Sequence, residues 1–236
     1  MHLAILMANT DESDFADRHP RDGAKFTALI RSVRPGWTTQ VFAVKDGEFP
    51  ADLTPFDGAI ITGSPASVHD PDPWIADLLA LIRRMVAARL PVFGACFGHQ
   101  AVALALGGQV GPNPGGWVLG RTDTHLTDPA PWMDGLPATT SLYAAHVEQV
   151  TALPAQARAL TTSPECPVGG FAMGRHVYTT QYHPEMSPGF IAALIDHLAP
   201  AKPADVITRA RASLDRPADT QPFADSIARF FEQAKA

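Results

Sequence analysis

Cys96 stands between two glycines in the segment FGACFGHQ, residues 93–100. A nucleophile placed between a strand and a helix, with glycine two residues before and after it, is typical of a nucleophile elbow. Gly94 and Gly98 occupy those positions, where strand and helix cross so closely that a side chain would clash. The sulfur then lies over a helix N-terminus, whose free N–H groups and dipole favour a thiolate. The pattern predicts a nucleophile, and a small buried structural cysteine is the alternative.

A base for this nucleophile is present in the segment QYHPE, residues 181–185. It ends the strand-like run HVYTTQYH, so His183 is expected at the carboxyl edge of a strand, where doubly wound sheets place their sites. Glu185, two residues later, can orient the imidazole and stabilise its charged form. A histidine without such partners more often has a structural or solvent role. Together with the elbow, Cys96, His183 and Glu185 predict a relay for covalent acyl transfer.

The elements that must position these residues alternate between short apolar strands and amphipathic helices. This order is typical of an α/β fold with a doubly wound, mostly parallel sheet and helices on both faces. Strands are predicted in LAILMA, VFAV (41–44), GAIITG (58–63), VFGAC, RALTTS, GGFAM and HVYTTQYH. VFAV and GAIITG are both compact enough to be buried strands. Residues 111–145 are rich in Pro, Gly and Trp, which predicts irregular structure or short strands.

Apolar residues at helical spacing predict the helices that cover the sheet. Three such stripes lie before residue 199: Phe26, Leu29, Ile30 and Val33; Ile75, Leu78, Leu79, Ile82 and Val86; and Phe190, Ile191, Leu194, Ile195 and Leu198. Two more follow, namely Val206, Ile207, Ala210 and Leu214, then Phe223, Ile227, Phe230 and Phe231. We expect residues 1–198 to form the main domain and residues 199–236 a helical extension packed on it. A contact between two copies in a homodimer is the alternative.

Composition excludes several classes of function. The formal net charge of −6 and the absence of Lys/Arg runs argue against nucleic-acid binding. The N-terminus MHLAILMANT is interpreted as a first strand and not as a signal peptide. No stretch approaches the ~20 apolar residues that span a bilayer. Two cysteines so far apart do not form a disulfide framework, so we expect a cytoplasmic protein.

The segments PVFGACFGHQ and QYHPE, in this order, resemble the signature of the class I (triad type) glutamine amidotransferases. The chain is most similar to the glutaminase domain of GMP synthase and its free-standing relatives, over residues 1–198. The resemblance implies Cys96 as nucleophile, His183 as base and Glu185 as the residue that orients the base. It also implies that glutamine is hydrolysed to glutamate and ammonia through a γ-glutamyl thioester, without a metal or an organic cofactor.

Two segments match the parts of the family site that hold the reacting amide. Residues 61–65, ITGSP, fall where the family usually has a Gly-Gly-Pro turn, and Ser64 follows Gly63 in place of the second glycine. The resemblance implies that the backbone N–H groups of Ser64 and Phe97 hold the oxyanion. Gln100 matches the position whose amide helps to hold the glutamine substrate.

A third segment, YAAHVE at residues 143–148, resembles the Ser-His-Gly-Asp loop that binds the α-amino and carboxylate groups of the substrate. Three of its four positions differ here, so Ala145, His146 and Val147 are predicted to bind a substrate whose identity stays open. The segment from Asp11 to Asp22 is expected to lie over the same pocket.

The acceptor of the ammonia is not encoded in this chain, which has no P-loop lysine motif and no ATP-pyrophosphatase signature. Either a separate synthetase subunit receives ammonia, or the protein acts alone on γ-glutamyl peptides or amines. A catalytically silent binding subunit is a third hypothesis, although such a protein has no reason to keep Cys96, His183 and Glu185 together.

Other chemically active side chains are assigned to structural roles. Cys166 lacks flanking glycines and a partner, and the histidines have no metal-like spacing, which argues against a zinc site. His99 is interpreted as a neighbour of the elbow and His197 as a residue of the polar side of its helix. Trp74 and Trp117 are interpreted as core residues, with a place in a pocket wall as the alternative. The other histidines set aside on this ground are His19, His69, His125 and His176.

Overall fold

The structure, a computed structural model, describes residues 1–234. Its strands are β1 (His2–Met7), β2 (Thr38–Ala43), β3 (Gly58–Ile61), β4 (Val92–Ala95), β5 (Gln109–Pro112), β6 (Val118–Leu126), β7 (Thr139–His146), β8 (Glu148–Ala152), β9 (Arg158–Thr162), β10 (Gly170–Met173) and β11 (Val177–Thr180). Nine of them form one sheet in the order β2-β1-β3-β4-β11-β10-β9-β6-β7, and β5 pairs with β8.

Five neighbouring strands of the large sheet are parallel, and this half carries the predicted elbow. They are β2, β1, β3, β4 and β11. All residues of β3, β4 and β11 are buried. Strands that are covered on both faces consist mainly of consecutive apolar residues, because both faces are buried. Such runs can be recognised in the sequence. The predicted doubly wound, mostly parallel sheet is confirmed.

The prediction of a buried strand at VFAV is wrong. The strand β2 covers residues 38–43 and lies at the edge of the sheet, where most of its residues are exposed or half-buried. Val41 is 42% exposed. An edge strand has a neighbour on one side alone, and a short apolar run does not distinguish that position from the centre of a sheet.

Helices cover both faces of the sheet. They are α1 (Asp14–Asp17), α2 (Asp22–Val33), α3 (Pro73–Ala87), α4 (Phe97–Ala105), α5 (Pro188–Leu198), α6 (Ala204–Ser213) and α7 (Thr220–Ala234). Alternate residues of β1 enter two different cores: Leu3 and Ile5 pack with α2 and α7, whereas Ala4 and Leu6 pack with α3 and α4. None of the helices within residues 1–234 combines the length and hydropathy needed to cross a membrane.

The region 111–145 contains longer strands than its composition predicts. The strand β6 has nine residues and pairs antiparallel with the eight-residue β7, from Val118 opposite His146 to His125 opposite Thr139. Its prolines lie outside these two strands, at residues 112, 114, 129, 131 and 137. A composition averaged over the whole region therefore conceals two well-formed strands between turns.

The two C-terminal helices pack against the rest of the chain. Apolar residues of α6, including Val206 and Ile207, lie in one cluster with α5 and β6. Phe230 and Phe231 of α7 are fully buried in the core that also contains Leu3 of β1. The helix α7 thus supplies large aromatic side chains to one face of the sheet, where each buried ring stabilises the fold by ~1.5–3 kcal/mol relative to exposure.

Candidate active site

The predicted nucleophile elbow joins β4 to α4 and holds Cys96 in an uncommon backbone conformation. Cys96 has φ 50° and ψ −107°, in a region that a residue with a side chain rarely adopts. Its amide donates to the carbonyl of Thr180 at the end of β11, at 2.9 Å. Such strain costs ~1–3 kcal/mol and persists when the surrounding structure holds it. It places the sulfur at the carboxyl edge of the sheet, beside the first turn of α4.

The two glycines of the elbow allow the close crossing that the sequence predicts. A Cβ atom at Gly94 would lie 2.6 Å from the carbonyl oxygen of Gly98. A Cβ atom at Gly98 would lie 2.4 Å from the carbonyl oxygen of Ile61 in β3. Both obstacles are backbone atoms, which cannot turn away as a side chain would.

Gly98→Ala is therefore expected to separate α4 from β3. We expect the free energy of unfolding to fall by about 1–3 kcal/mol, the usual cost of overpacking a core. Gly189→Ala is the matched control, because no atom lies within 4 Å of a Cβ at that helical position; it should leave stability unchanged or raise it by ~0.5–1 kcal/mol. Urea unfolding of both variants checks this, and equal midpoints for the two would contradict it.

His183 and Glu185 lie at the same edge of the sheet as Cys96. Nδ1 of His183 is 2.7 Å from Oε1 of Glu185, so Nδ1 carries a proton and Nε2 is left for the reacting atoms. The His183 amide donates to the carbonyl of Tyr143 in β7 at 2.8 Å, which fixes the backbone beside the ring. Both side chains are buried, at 7% and 1% exposure.

The electrostatics of this cluster favour a charged imidazole. Burial alone lowers the pKa of His183, but the charges of Glu185 and Cys96 outweigh it and hold that pKa well above its usual range. A protonated imidazole beside a thiolate is the pairing that activates a cysteine nucleophile and can later supply a proton to a leaving group.

The loop after β3 contacts both members of this pair. A Cβ atom at Gly63 would lie 2.8 Å from Cε1 of His183 and 3.6 Å from the Cβ of Cys96. The hydroxyl of Thr62 accepts a hydrogen bond from the backbone N–H of Ala8 at 3.0 Å, which connects the loop to the end of β1. Ser64 follows directly and lines the same space as Cys96.

The remaining predicted binding residues line a small cavity of about 70 Å³ that contains Cys96. Gln100 directs its amide nitrogen to the carbonyl of Glu148 at 2.8 Å. His146 is buried, and its Nδ1 donates to the same carbonyl at 3.0 Å. Burial lowers the pKa of His146 to about 4, so the ring is neutral at pH 7 and its Nε2 is an acceptor. That nitrogen has no hydrogen-bond partner among the described residues. Ala145 and Val147 also line this cavity.

A second cavity, of about 420 Å³, also contains Cys96 and His183. Asp11, Phe15 and Asp22 line it, so the segment from Asp11 to Asp22 lies over the pocket as the sequence predicts. For Trp117 the structure supports the alternative, a place in a pocket wall, because its ring is half-buried and lines both cavities. Trp74 does lie in the core, at 5.5 Å from the ring of Phe97.

Gln181 is a contact of Cys96 that sequence reasoning missed. Its amide nitrogen lies 3.6 Å from the sulfur of Cys96, and its carbonyl oxygen accepts from Gln100 at 3.2 Å. Gln100 donates to the oxygen of Gln181 as well as to Glu148. The amide oxygen of Gln181 therefore faces Gln100, and its NH₂ group faces the sulfur. Its place in QYHPE, two residues before His183, is the signal that could have indicated this contact.

Cys166 and His99, both set aside in the sequence, line neither cavity. Cys166 is fully buried, and burial raises the pKa of its thiol to about 12, as expected for an inert structural cysteine. His99 is a buried residue of α4, with Nδ1 2.8 Å from the hydroxyl of Thr179. Within the described residues, no three His, Cys, Asp or Glu side chains are grouped closely enough to hold a metal ion.

Comparison with known proteins places the chain in a family. The model of the class I glutamine amidotransferases matches residues 27–193. Gamma-glutamyl peptidase 5 of Arabidopsis thaliana is 32% identical over 223 residues, 90% of this chain and 88% of that protein. A glutamine-hydrolyzing GMP synthase of a Parafrankia strain is 36% identical over 128 residues, 54% of this chain and 23% of that protein. A solved glutamine amidotransferase of Thermotoga maritima has the same fold, with a TM-score of 0.77 over 98% of each chain at 16% identity. This chain belongs to the class I glutamine amidotransferase family.

Proposed function

We propose that the protein hydrolyses the amide bond of γ-glutamyl compounds through a thioester on Cys96. The observation that carries this proposal is the conjunction at one sheet edge of a strained cysteine elbow with the buried His183–Glu185 pair, both in contact with the glycine turn at Gly63. Three features of acyl transfer are thereby met: a nucleophile at a helix N-terminus, a base within its reach and a carboxylate that orients the base.

In the proposed reaction the sulfur of Cys96 attacks the γ-carbonyl carbon. The oxyanion accepts hydrogen bonds from the backbone N–H groups of Phe97 and Ser64. The N–H of Phe97 is available because the first residues of a helix have no intrahelical acceptor. Losing one such donor costs about 100- to 1000-fold in rate.

The proton on His183 then moves to the leaving nitrogen as the carbon–nitrogen bond breaks. A water molecule enters, gives a proton to His183 and attacks the thioester carbon, which releases glutamate and restores the thiolate. Glu185 keeps the imidazole in one orientation and stabilises its positive charge through both steps.

The small cavity is proposed to bind the α-amino and α-carboxylate groups of the γ-glutamyl unit. Its neutral His146 offers a buried Nε2 acceptor, which suits the N–H of a substrate ammonium group. Gln100 and the backbone at Ala145 and Val147 supply the other polar contacts. An unpaired buried acceptor costs ~1–3 kcal/mol, a cost that a bound substrate would remove.

Among the substrates that the sequence leaves open, we favour γ-glutamyl peptides or amines, hydrolysed by this protein acting alone. Ammonia occupies about as much room as a water molecule, ~30 Å³ in the liquid, whereas the larger cavity beside Cys96 measures about 420 Å³. The likeness to gamma-glutamyl peptidase 5 extends over most of both chains. Both observations support a leaving group larger than ammonia.

The second candidate is glutamine hydrolysis with transfer of ammonia to a separate synthetase subunit. It is supported by the likeness to a glutamine-hydrolyzing GMP synthase, of which this chain covers 23%. The chemistry at Cys96 is the same in both candidates, so they differ in leaving group alone.

Glutamate release by the purified protein distinguishes the candidates. We expect kcat/KM for γ-glutamyl dipeptides to exceed that for glutamine by about 10-fold or more, since each buried apolar side chain contributes ~1.5–3 kcal/mol. A Cys96→Ala sample serves as the blank. Preference for glutamine would support the amidotransferase candidate instead, and a protein that binds γ-glutamyl compounds without any turnover would match the silent binding subunit.

A further inference from the structure

Cys96 lines two cavities, which share Ser64, Pro65, Trp117 and Ala145 and differ in their remaining walls. The small cavity has polar walls from Gln100, His146 and Glu148. The large cavity is lined instead by α5 and by the segment that follows β1. In a substrate attacked at its γ-carbonyl carbon, the glutamyl part and the leaving amine extend in different directions from that carbon. If the glutamyl part occupies the small cavity, the leaving amine extends into the large one.

The large cavity has an apolar wall made of aromatic and aliphatic side chains. Phe15 and Phe190 have their ring centroids 5.8 Å apart, and the ring of His197 stacks on Phe15 at 4.5 Å. The interpretation of His197 as a residue of the polar helix side is thus incomplete, because it also covers this wall. The other apolar lining residues are Trp117, Met186, Leu194 and Leu198. A wall of this kind binds an apolar substituent better than it binds water.

Two carboxylates line the same cavity, and each already has a partner. Asp22 contacts Lys25 at 2.9 Å, while Asp11 accepts the backbone N–H of Ser13 at 2.9 Å. Lys25 balances the charge of Asp22, whereas the backbone donor of Ser13 leaves the negative charge of Asp11 in place. Asp22 is therefore not well placed to attract a second ammonium group from a substrate.

Lys202 has no such partner. Its Nζ lies 3.8 Å from the ring centroid of Trp117, and it forms no ion pair with a carboxylate in residues 1–234. The ring holds the ammonium group at the cavity wall without neutralising it. A cation beside an apolar wall is suited to a ligand that carries a carboxylate next to an apolar group.

We propose that the large cavity is a leaving-group subsite for the second residue of γ-glutamyl dipeptides with an apolar or aromatic side chain, whose α-carboxylate binds Lys202. This inference rests on the proposed function. The side chain of the released amino acid packs on Phe15, Phe190 and Leu194. In the reaction, the bond from the γ-carbon to the peptide nitrogen breaks, the bond from that carbon to the sulfur forms, and His183 gives its proton to the departing nitrogen. Water then completes hydrolysis, and the products are glutamate and a free amino acid.

The test compares four substrates: γ-glutamyl-phenylalanine, γ-glutamyl-glycine, γ-glutamyl-phenethylamide, which lacks the carboxylate, and glutamine. We expect γ-glutamyl-phenylalanine to exceed γ-glutamyl-glycine in kcat/KM by about 10- to 100-fold, the worth of burying an aromatic side chain. It should also exceed the phenethylamide by about 10-fold or more, since a hydrogen bond to a charged group contributes ~1.5–3 kcal/mol.

Variants assign these preferences to residues. Lys202→Gln should lower the ratio of γ-glutamyl-phenylalanine to phenethylamide turnover by about 10-fold, and Lys202→Arg should restore most of it. Arg209→Gln removes one positive charge from the exposed face of α6 and should leave the ratio unchanged. Leu194→Ala should reduce the preference for phenylalanine over glycine, whereas Leu214→Ala, outside the cavity, should not.

Different results overturn different claims. Equal turnover of the two dipeptides, or a ratio unaffected by Lys202→Gln, overturns the subsite while leaving γ-glutamyl hydrolysis intact. Faster turnover of the phenethylamide than of γ-glutamyl-phenylalanine overturns the role of Lys202. Turnover of glutamine with no glutamate released from any γ-glutamyl compound overturns the proposed function itself, and the subsite with it.

Discussion

Cys96→Ala is expected to release no measurable glutamate from any γ-glutamyl substrate or from glutamine. Without the sulfur no thioester can form, and water held in the same site has neither the position nor the nucleophilicity of a thiolate. Loss of a covalent nucleophile from an acyl-transfer site typically costs ~10⁶-fold in kcat. The measurement is a coupled glutamate assay at high enzyme concentration, so that residual activity several orders of magnitude below the parent rate is detectable.

Cys166→Ala is the matched control, because it removes the other cysteine of the chain. That thiol is fully buried and donates to the carbonyl of Val168 at 3.4 Å, away from the substrate cavities. The Cys166 variant should keep its turnover. A glutamine-like chloroketone should add one covalent group to the parent and to the Cys166 variant, with loss of chloride, and none to Cys96→Ala. Labelling of Cys166 instead, or turnover by Cys96→Ala, would refute the assignment of the nucleophile.

The features that could be predicted from the sequence are the ones that depend on close spacing along the chain. The elbow at Cys96 is visible because the glycines that permit it lie two residues to either side. His183 and Glu185 are likewise two residues apart, and their hydrogen bond follows from that spacing. The parallel strands are recognisable because burial on both faces requires continuous apolar runs.

The features that could not be predicted depend on contacts between distant segments. Gln181 reaches Cys96 across 85 positions of sequence. Trp117 is an aromatic residue, a type that is more often found in a core. It lies directly before β6, and the pairing of β6 with β7 brings it to the wall of two cavities. Lys202 lies beyond the span that resembles the family, and its position over Trp117 depends on how the chain returns after α5. No local pattern encodes such distances.

Glu185→Gln is expected to lower kcat/KM by about 10²- to 10⁴-fold and to move its alkaline limb to lower pH. Loss of the carboxylate in a serine-type triad costs ~10⁴-fold, which sets the upper limit. The sign of the pH effect follows from the pKa of His183, which burial lowers and the charge of Glu185 raises above its usual value. With the charge removed, one of the groups that raise the pKa of His183 is lost, so this pKa falls and the protonated imidazole that the leaving group needs is lost at a lower pH.

The control for this variant is Glu232→Gln, the same chemical change at a half-exposed residue of α7 that pairs with Arg34. It should alter neither the rate nor the pH profile. Glu185→Asp keeps the charge on a shorter side chain, so it should retain the alkaline limb near its original pH while losing rate through poorer orientation of the imidazole. An alkaline limb that stays in place for Glu185→Gln would mean that Glu185 does not sustain the charge of His183. Together these variants separate the electrostatic contribution of Glu185 from its positional one, because charge alone moves the pH profile.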